Sequence, residues 1–251
     1  MIQVENLQKS FGPKPVLRGV NLEIPTGQAV TIIGQSGSGK SVLLKHLIGL
    51  MEPDAGRVII DGVDITNATR KELYKSRIKI GVLFQGAALF DSMTVEENIG
   101  LGLREHTNKQ DGEITERVRQ CLEMVSLPGI EKLKPAELSG GMKKRVGLAR
   151  AIALRPEYIL YDEPTTGLDP ITADSINDLI IYLNEKLNVT TIVVTHDMVS
   201  AFKVSDRIVM IHEGVIIHSG TVEETQNSPK DIVRRFVAGE ADDTKQVITH
   251  Y

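Results

Sequence analysis

The sequence predicts an α/β fold in which a helical insert interrupts a core of strands and helices. Three observations predict it. Ala29 to Ile33 is a short apolar run that leads into a Gly-rich loop, and Val42 to Leu50 then follows at helical spacing. Segments with alternating or β-rich character at Ile2 to Phe11, Val20 to Ile24 and Arg57 to Ile60 are punctuated by the turn signals Pro53-Asp54-Ala55-Gly56 and Asp61-Gly62. Finally, Thr94 to Ala153 is mainly helical in pattern, broken at Pro128-Gly129 and Pro135, before buried-type strands return at Tyr158 to Tyr161 and Thr191 to Val194.

Taken in chain order, the three β-patterned segments imply a small antiparallel sheet near the start, and the run into the Gly-rich loop gives strand, loop and helix. Beyond Gly239 the chain is polar as far as Lys245 and ends in Tyr251, which is expected to be a loose tail, with docking on a neighbour through Val247, Ile248 and Tyr251 as the alternative. At 251 residues and 41% hydrophobic, the chain has enough apolar material for one domain, or two closely joined, with a substantial core. The charge balance excludes a broad positive field: 29 Lys+Arg stand against 33 Asp+Glu, so nucleic acid is not an expected partner. Apolar runs such as Ile208 to Ile211 fall far below the roughly 20 residues that span a bilayer as a helix, so work at a membrane has to pass through a partner. The start, Met1-Ile2-Gln3-Val4-Glu5, does not have the pattern of a signal peptide. Cys121 falls in the helical pattern of Val118, Leu122 and Val125, where a small buried residue accounts for it without chemistry.

Chemistry concentrates at a few points. Gly34-Gln35-Ser36-Gly37-Ser38-Gly39-Lys40-Ser41 has glycines, lysine and hydroxyl at the spacing of a phosphate-cradling loop. Glycines let backbone N–H groups turn toward phosphates, the following helix presents its positive end, Lys40 neutralises phosphate charge and Ser41 offers a hydroxyl to Mg²⁺. Tyr158 to Tyr161 then ends in Asp162-Glu163. Adjacent carboxylates point differently from a strand end, so Asp162 is placed to hold the metal and Glu163 to orient or deprotonate an attacking water. Leu138-Ser139-Gly140-Gly141-Met142 opens another helix with Ser139 as N-cap, and its bare glycines make a second anion site. Lys143, Lys144 and Arg145 crowd the positive end of that helix, which a facing phosphate would explain and a solvated face explains equally for at least two of them.

The order of these motifs resembles the nucleotide-binding subunit of ABC transporters over nearly the whole chain. That resemblance implies a RecA-like P-loop core with an antiparallel β subdomain and an inserted helical subdomain, the ABC ATPase fold. It implies one ABC ATPase domain over 1–240, with core and β subdomain at about 1–86 and 156–240, helical subdomain at about 87–155 and a tail at 241–251. Leu138 to Met142 matches the family signature, so Ser139, Gly140 and Gly141 are expected to meet ATP held by a second copy in a head-to-tail homodimer. Gln85, after the strand Ile80 to Phe84, matches the Q-loop glutamine that senses Mg²⁺ and the membrane partner; the metal set is then Ser41, Gln85 and Asp162. His196 matches the switch histidine, Asp169 the D-loop aspartate and Phe11 the aromatic that stacks on adenine. Singly, Phe11 also fits a core position, Gln85 a solvated loop and His196 the neighbourhood of a helix cap; their joint spacing favours the site.

Two departures stand out. Met142 replaces the usual glutamine after the signature glycines, removing a polar contact there, and Thr166-Gly167 replaces the usual Ser-Ala before Leu168-Asp169. Together with Leu83 to Phe90, Leu103 to His106 and Leu138 to Arg145, they resemble the Mla-type (maintenance of lipid asymmetry) ATPases. This implies an ATPase at the cytoplasmic face of the inner membrane that energises phospholipid transport between inner and outer membranes. The implied partners are a membrane permease and an MCE-domain lipid-carrying protein, with ATP and Mg²⁺ as ligands. The alternatives are a transporter ATPase for another cargo and a soluble ABC ATPase without a transport role. The apolar residues Ala87 to Phe90 are expected to be partly exposed to receive a permease helix, with a buried helix face as the competing reading.

Overall fold

Residues 1–240 are described by a computed structural model. The expected tail, 241–251, lies outside the described residues. Strands β1 (Ile2–Phe11) and β2 (Lys14–Ile24) form an antiparallel hairpin through a turn in which Gly12 takes a positive φ. With β4 (Ala55–Ile60) and β5 (Val63–Asp64) they make a four-stranded sheet in the order β2-β1-β4-β5. Alternation decides which face is buried: Ile2, Val4, Val20, Leu22 and Ile24 point inward while their neighbours stay wetter. The antiparallel sheet expected near the start is thus present, its second strand beginning earlier than the pattern of Val20 to Ile24 suggested.

A second sheet has six strands in the order β10-β9-β3-β8-β7-β6. Its members are β3 (Ala29–Ile33), β6 (Ile80–Leu83), β7 (Tyr158–Asp162), β8 (Thr190–Val194), β9 (Arg207–His212) and β10 (Val215–Gly220). All neighbours are parallel except the antiparallel edge strand β10. Every residue of β3 and β8 is buried, as parallel strands covered on both faces require. Helix α1 (Lys40–Leu47) lies between the two sheets, where Leu43, Leu44 and Leu47 join one core with Leu7, Leu17, Val30 and Ile32.

Helix α2 (Arg70–Ile78) precedes β6 and is closed by a Thr69–Glu72 capping box. Between β6 and β7 run α3 (Val95–His106), α4 (Asp111–Met124) and α5 (Gly140–Ile152). Ile99, Leu103, Ile114, Val118, Leu122, Val146 and Ile152 share a core with Ile159 and Tyr161 of β7, so this helical layer is packed onto the strand that carries the paired carboxylates. Cys121 is buried there, and burial pushes its thiol up to about 11, in keeping with a packing role. Helices α6 (Pro170–Leu187), α7 (Met198–Val204), α8 (Val222–Gln226) and α9 (Asp231–Ala238) complete the chain, with Val233 of α9 packed among Ile33, Ile208 and Met210. Among the described residues no helix is long and apolar enough to cross a membrane.

Candidate functional site

The C-terminal ends of parallel strands are where open α/β sheets build ligand sites, because loops to the covering helices diverge there. Four such ends converge here: β3 runs into the Gly-rich loop, β6 into Gln85, β7 into Asp162-Glu163 and β8 into Thr195-His196. They border an open cleft of about 1140 Å³ lined by Gln35, Ser36, Gly37, Gly39, Lys40, Ser41, Gln85, Glu163 and His196, with Phe11 at its rim. Sequence reasoning had singled out each of these residues separately; the fold brings them to one opening.

The loop geometry explains its composition. Gly34, Gly37 and Gly39 have φ of 153°, 80° and 109°. At Gly34 a Cβ would sit 2.2 Å from the Ile211 carbonyl oxygen, so the loop approaches β9 more closely than any other residue type allows. Ser38 N–H donates to the Gln35 carbonyl at 3.1 Å, and the buried Ser38 Oγ has no protein partner. Lys40 Nζ is folded back on the loop, donating to the Gly34 and Gln35 carbonyls at 2.7 and 3.0 Å. Burial lowers its pKa, while Glu163 and Asp162 oppose the shift. A mostly buried ammonium whose bonds are to carbonyls can exchange them for phosphate oxygens at small cost.

Asp162 Oδ1 is buried without a hydrogen-bond partner. Burial first, then the Glu163 charge, raises the Asp162 pKa, so an added cation would be strongly favoured beside it. That orphaned oxygen, with the Ser41 hydroxyl at the start of α1, suits a hard oxygen-seeking ion such as Mg²⁺, which takes few protein ligands and completes its shell from phosphate and water.

Glu163 takes a left-handed φ of 49°, unusual for a side chain of its size, and its N–H donates to the Val194 carbonyl at 2.8 Å. The turn aims its carboxylate toward β8. There His196 Nδ1 lies 3.0 Å from Oε1 and 2.9 Å from Oε2, and the Thr166 hydroxyl donates at 3.1 Å. The carboxylate is 12% exposed and the His196 side chain 62%, so the acid is sheltered while its partner faces the cleft. Thr166 was noted in the sequence only as a departure; a hydroxyl three residues past the carboxylate was the available signal for its bond.

Ser139, Gly140 and Gly141 do not line this cleft. The Ser139 hydroxyl caps α5 by accepting from Met142 N–H at 3.3 Å, and a Cβ on Gly141 would lie 2.7 Å from Thr172 Cγ2, so the glycines let α5 approach α6 closely. Asp169 is the N-cap of α6, accepting from the Ile171 and Thr172 amides at 3.1 and 3.0 Å. Met142 is half-buried against the helical core, which accounts for an apolar residue there. The crowd of cations resolves against both readings for two members, so a solvated face does not account for at least two of the three: Lys144 is buried and bonded to carbonyls, and the half-buried Arg145 donates to the Val125 carbonyl and the Ser175 hydroxyl. Of the Ala87 to Phe90 segment, Ala87 is buried, Leu89 is half-buried and Phe90 is 50% exposed, so the expected exposure holds at Phe90 and not at Ala87. Val199 and the stretch from Phe236 to Glu240 also line the cleft; they carry no local motif, and sequence reasoning missed them.

Residues 17–166 match the family model described as ABC transporter. The chain belongs to that family. It is 44% identical over 238 residues to a probable ribonucleotide transport ATP-binding protein, Mkl, of Mycobacterium leprae, covering 95% of this chain and 69% of that one. Identity is 41% over 242 residues to the intermembrane phospholipid transport system ATP-binding protein MlaF of Haemophilus influenzae, covering 96% and 92%. Among solved structures it resembles an ATP-binding cassette captured as a post-hydrolysis dimer with ADP and Pi, with a TM-score of 0.81 and 36% identity over 88% of this chain and 99% of that chain. The architecture is the ABC ATPase fold, and the chain is an ATP-binding, ATP-hydrolysing subunit of an ABC transporter.

Proposed function

We propose that this ATPase energises phospholipid transport between the inner and outer membranes of a cell envelope, working at the cytoplasmic face of the inner membrane. The observation that carries the reading is the likeness to MlaF, which extends over 92% of that protein. Its partners are then a membrane permease and an MCE-domain lipid-carrying protein, and the exposed Phe90 beside Gln85 is the point at which a permease helix docks. A second reading, a transporter of another cargo, draws on the likeness to Mkl, whose name refers to ribonucleotides. Affinity isolation from detergent-solubilised membranes separates them: a permease together with an MCE-domain protein supports lipid transport, and a permease with a soluble solute-binding protein instead overturns it.

In the chemistry we assign to the cleft, backbone N–H groups from Gly37 to Ser41 and the positive end of α1 cradle the triphosphate. Lys40 leaves the Gly34 and Gln35 carbonyls for the β- and γ-oxygens, and Phe11 stacks on adenine. Ser41, Gln85 and Asp162 would hold Mg²⁺, which would neutralise phosphate charge when bound. Glu163 accepts a proton from the attacking water, and His196, released from the carboxylate, turns to the γ-phosphate. Two chains associate head to tail, so that Ser139, Gly140 and Gly141 of each close the other's site; their absence from the cleft of their own chain supports this arrangement.

A further inference from the structure

Lys144 is 5% exposed, and its ammonium has no carboxylate within salt-bridge distance among the described residues. Asp162 and Glu163 offset its burial only from a distance, and a buried charge without a direct ion pair is costly, so a packing role at this point of α5 would be filled better by an apolar side chain. What the ammonium does hold is specific: Nζ donates to the Gln85 carbonyl at 2.5 Å and to the Glu163 carbonyl at 3.1 Å. These two residues belong to separate loops, after β6 and β7, and both line the nucleotide cleft.

The rest of the same helix face reinforces the grip on one loop only. Arg150 donates to the Ala88 and Ala87 carbonyls at 2.6 and 2.7 Å. Ala87 and Ala88 have φ of 59° and 48°, conformations that residues with a Cβ adopt at a cost and that need outside support. Between the two cations Gly147 lets the helix close on the loop: a Cβ there would be 2.8 Å from Leu83 Cδ1 and 3.3 Å from Ala87 Cβ. Lys144, Gly147 and Arg150 therefore share one stripe of α5, and only Lys144 also reaches the loop that carries the carboxylate.

We infer that Lys144 is a positioning residue for ATP hydrolysis: one ammonium fixes the backbone at Gln85 to the backbone at Glu163, so that the two loops and the helix opened by Ser139 move as a unit. The inference rests on Glu163 acting on the attacking water. Since α5 starts with the residues that close the partner's site, Lys144 also links engagement at one site to the carboxylate of the other.

The test is steady-state ATP hydrolysis by the full chain with Lys144→Met, Lys144→Arg, Arg150→Met and Glu163→Gln, each with a thermal midpoint. Misplacing a catalytic group by about 1 Å can cost about 100-fold. Lys144→Met is expected to lose about 10- to 100-fold in kcat with KM for ATP within about twofold, Lys144→Arg to recover part of it, and Arg150→Met to shift the thermal midpoint as much while losing far less kcat. A folded Lys144→Met with unchanged kcat overturns the inference, as does a loss that merely parallels the fall in stability seen in Arg150→Met. Glu163→Gln tells the two readings apart: if it hydrolyses ATP normally, the role of Glu163 fails on its own account. Should Lys144→Met not fold, hydrogen exchange of the unmodified chain decides. On titration with magnesium and AMP-PNP, amides at 86–88 and 165–166 are expected to gain protection together, and a response of one loop without the other overturns the inference.

Discussion

Replacing Glu163 by Gln isolates the proton-accepting step from everything else the residue does. Glutamine is nearly isosteric, retains a carbonyl oxygen to accept from the Thr166 hydroxyl, and suffers no more than glutamate from the left-handed φ of 49°. Its loss on the structural side is the charge facing His196 Nδ1 at about 3 Å, on a histidine that is mostly exposed and easily rehydrated. The fold should therefore survive and the P-loop contacts remain. On the chemical side, general-base assistance contributes about 10²- to 10⁴-fold, or about 2.7 to 5.4 kcal/mol of barrier. The assay pairs ATP turnover with retention of labelled nucleotide, and light scattering follows association. Turnover should fall by that factor while MgATP is retained and an ATP-dependent dimer accumulates. Near-normal turnover would refute the assignment of Glu163 as base; turnover and binding lost together would refute the separation of roles on which the argument depends.

Lys40→Ala provides the opposite pattern: removing charge-assisted bonds worth about 1.5–3 kcal/mol should weaken MgATP binding about 10- to 100-fold by equilibrium dialysis. Asp61→Asn tests the joint between the two sheets. Tyr158 donates to Asp61 at 2.5 Å, with Lys79 and the Met1 amine at 2.9 Å each, and although burial alone would raise this carboxyl, these bonds hold it well below the usual carboxylate range. A carboxyl lowered in the fold contributes stability that is present above its unfolded pKa of about 3.9 and is lost as pH falls below it, so the variant should lose about 1–3 kcal/mol at pH 7 and show a flatter acid limb in urea melts. Phe90→Ser should leave ATP hydrolysis by the isolated chain unchanged and weaken capture of the permease, whereas Leu89→Asp, at a half-buried position, should also lower the thermal midpoint.

The cleft was legible where its chemistry is written in adjacent residues. Gly34 to Ser41 declares itself because the backbone conformation, the glycines and the lysine all belong to one turn, and Asp162-Glu163 because both carboxylates follow a single apolar strand. Placing Gln85 and His196 needed the family resemblance, since a lone glutamine or histidine carries no local pattern; the structure then puts them on the ends of β6 and β8. Lys144 was illegible for a physical reason. In sequence it is one of three consecutive cations at a helix start, a pattern that solvation explains, and its carbonyl partners are 59 and 19 residues away. Helical segments were read well from periodicity, as in α3 to α5, whereas the wall formed by Phe236 to Glu240 depends on how α9 packs through Val233 against Ile33, Ile208 and Met210 of the central sheet, which only tertiary packing decides.

The central claim is that ATP hydrolysis in this cleft drives phospholipid movement, and lipid transfer by the assembled complex tests it most directly. The complex is isolated with its permease and membrane partners, placed in vesicles containing fluorescent phospholipid, and supplied with magnesium and ATP on the side that this chain faces. The account predicts ATP-dependent movement of the labelled lipid that stops with Glu163→Gln in place of the native subunit. Movement that continues with Glu163→Gln, or an ATPase that responds to a soluble nucleotide or amino acid while phospholipid stays where it was, would contradict it.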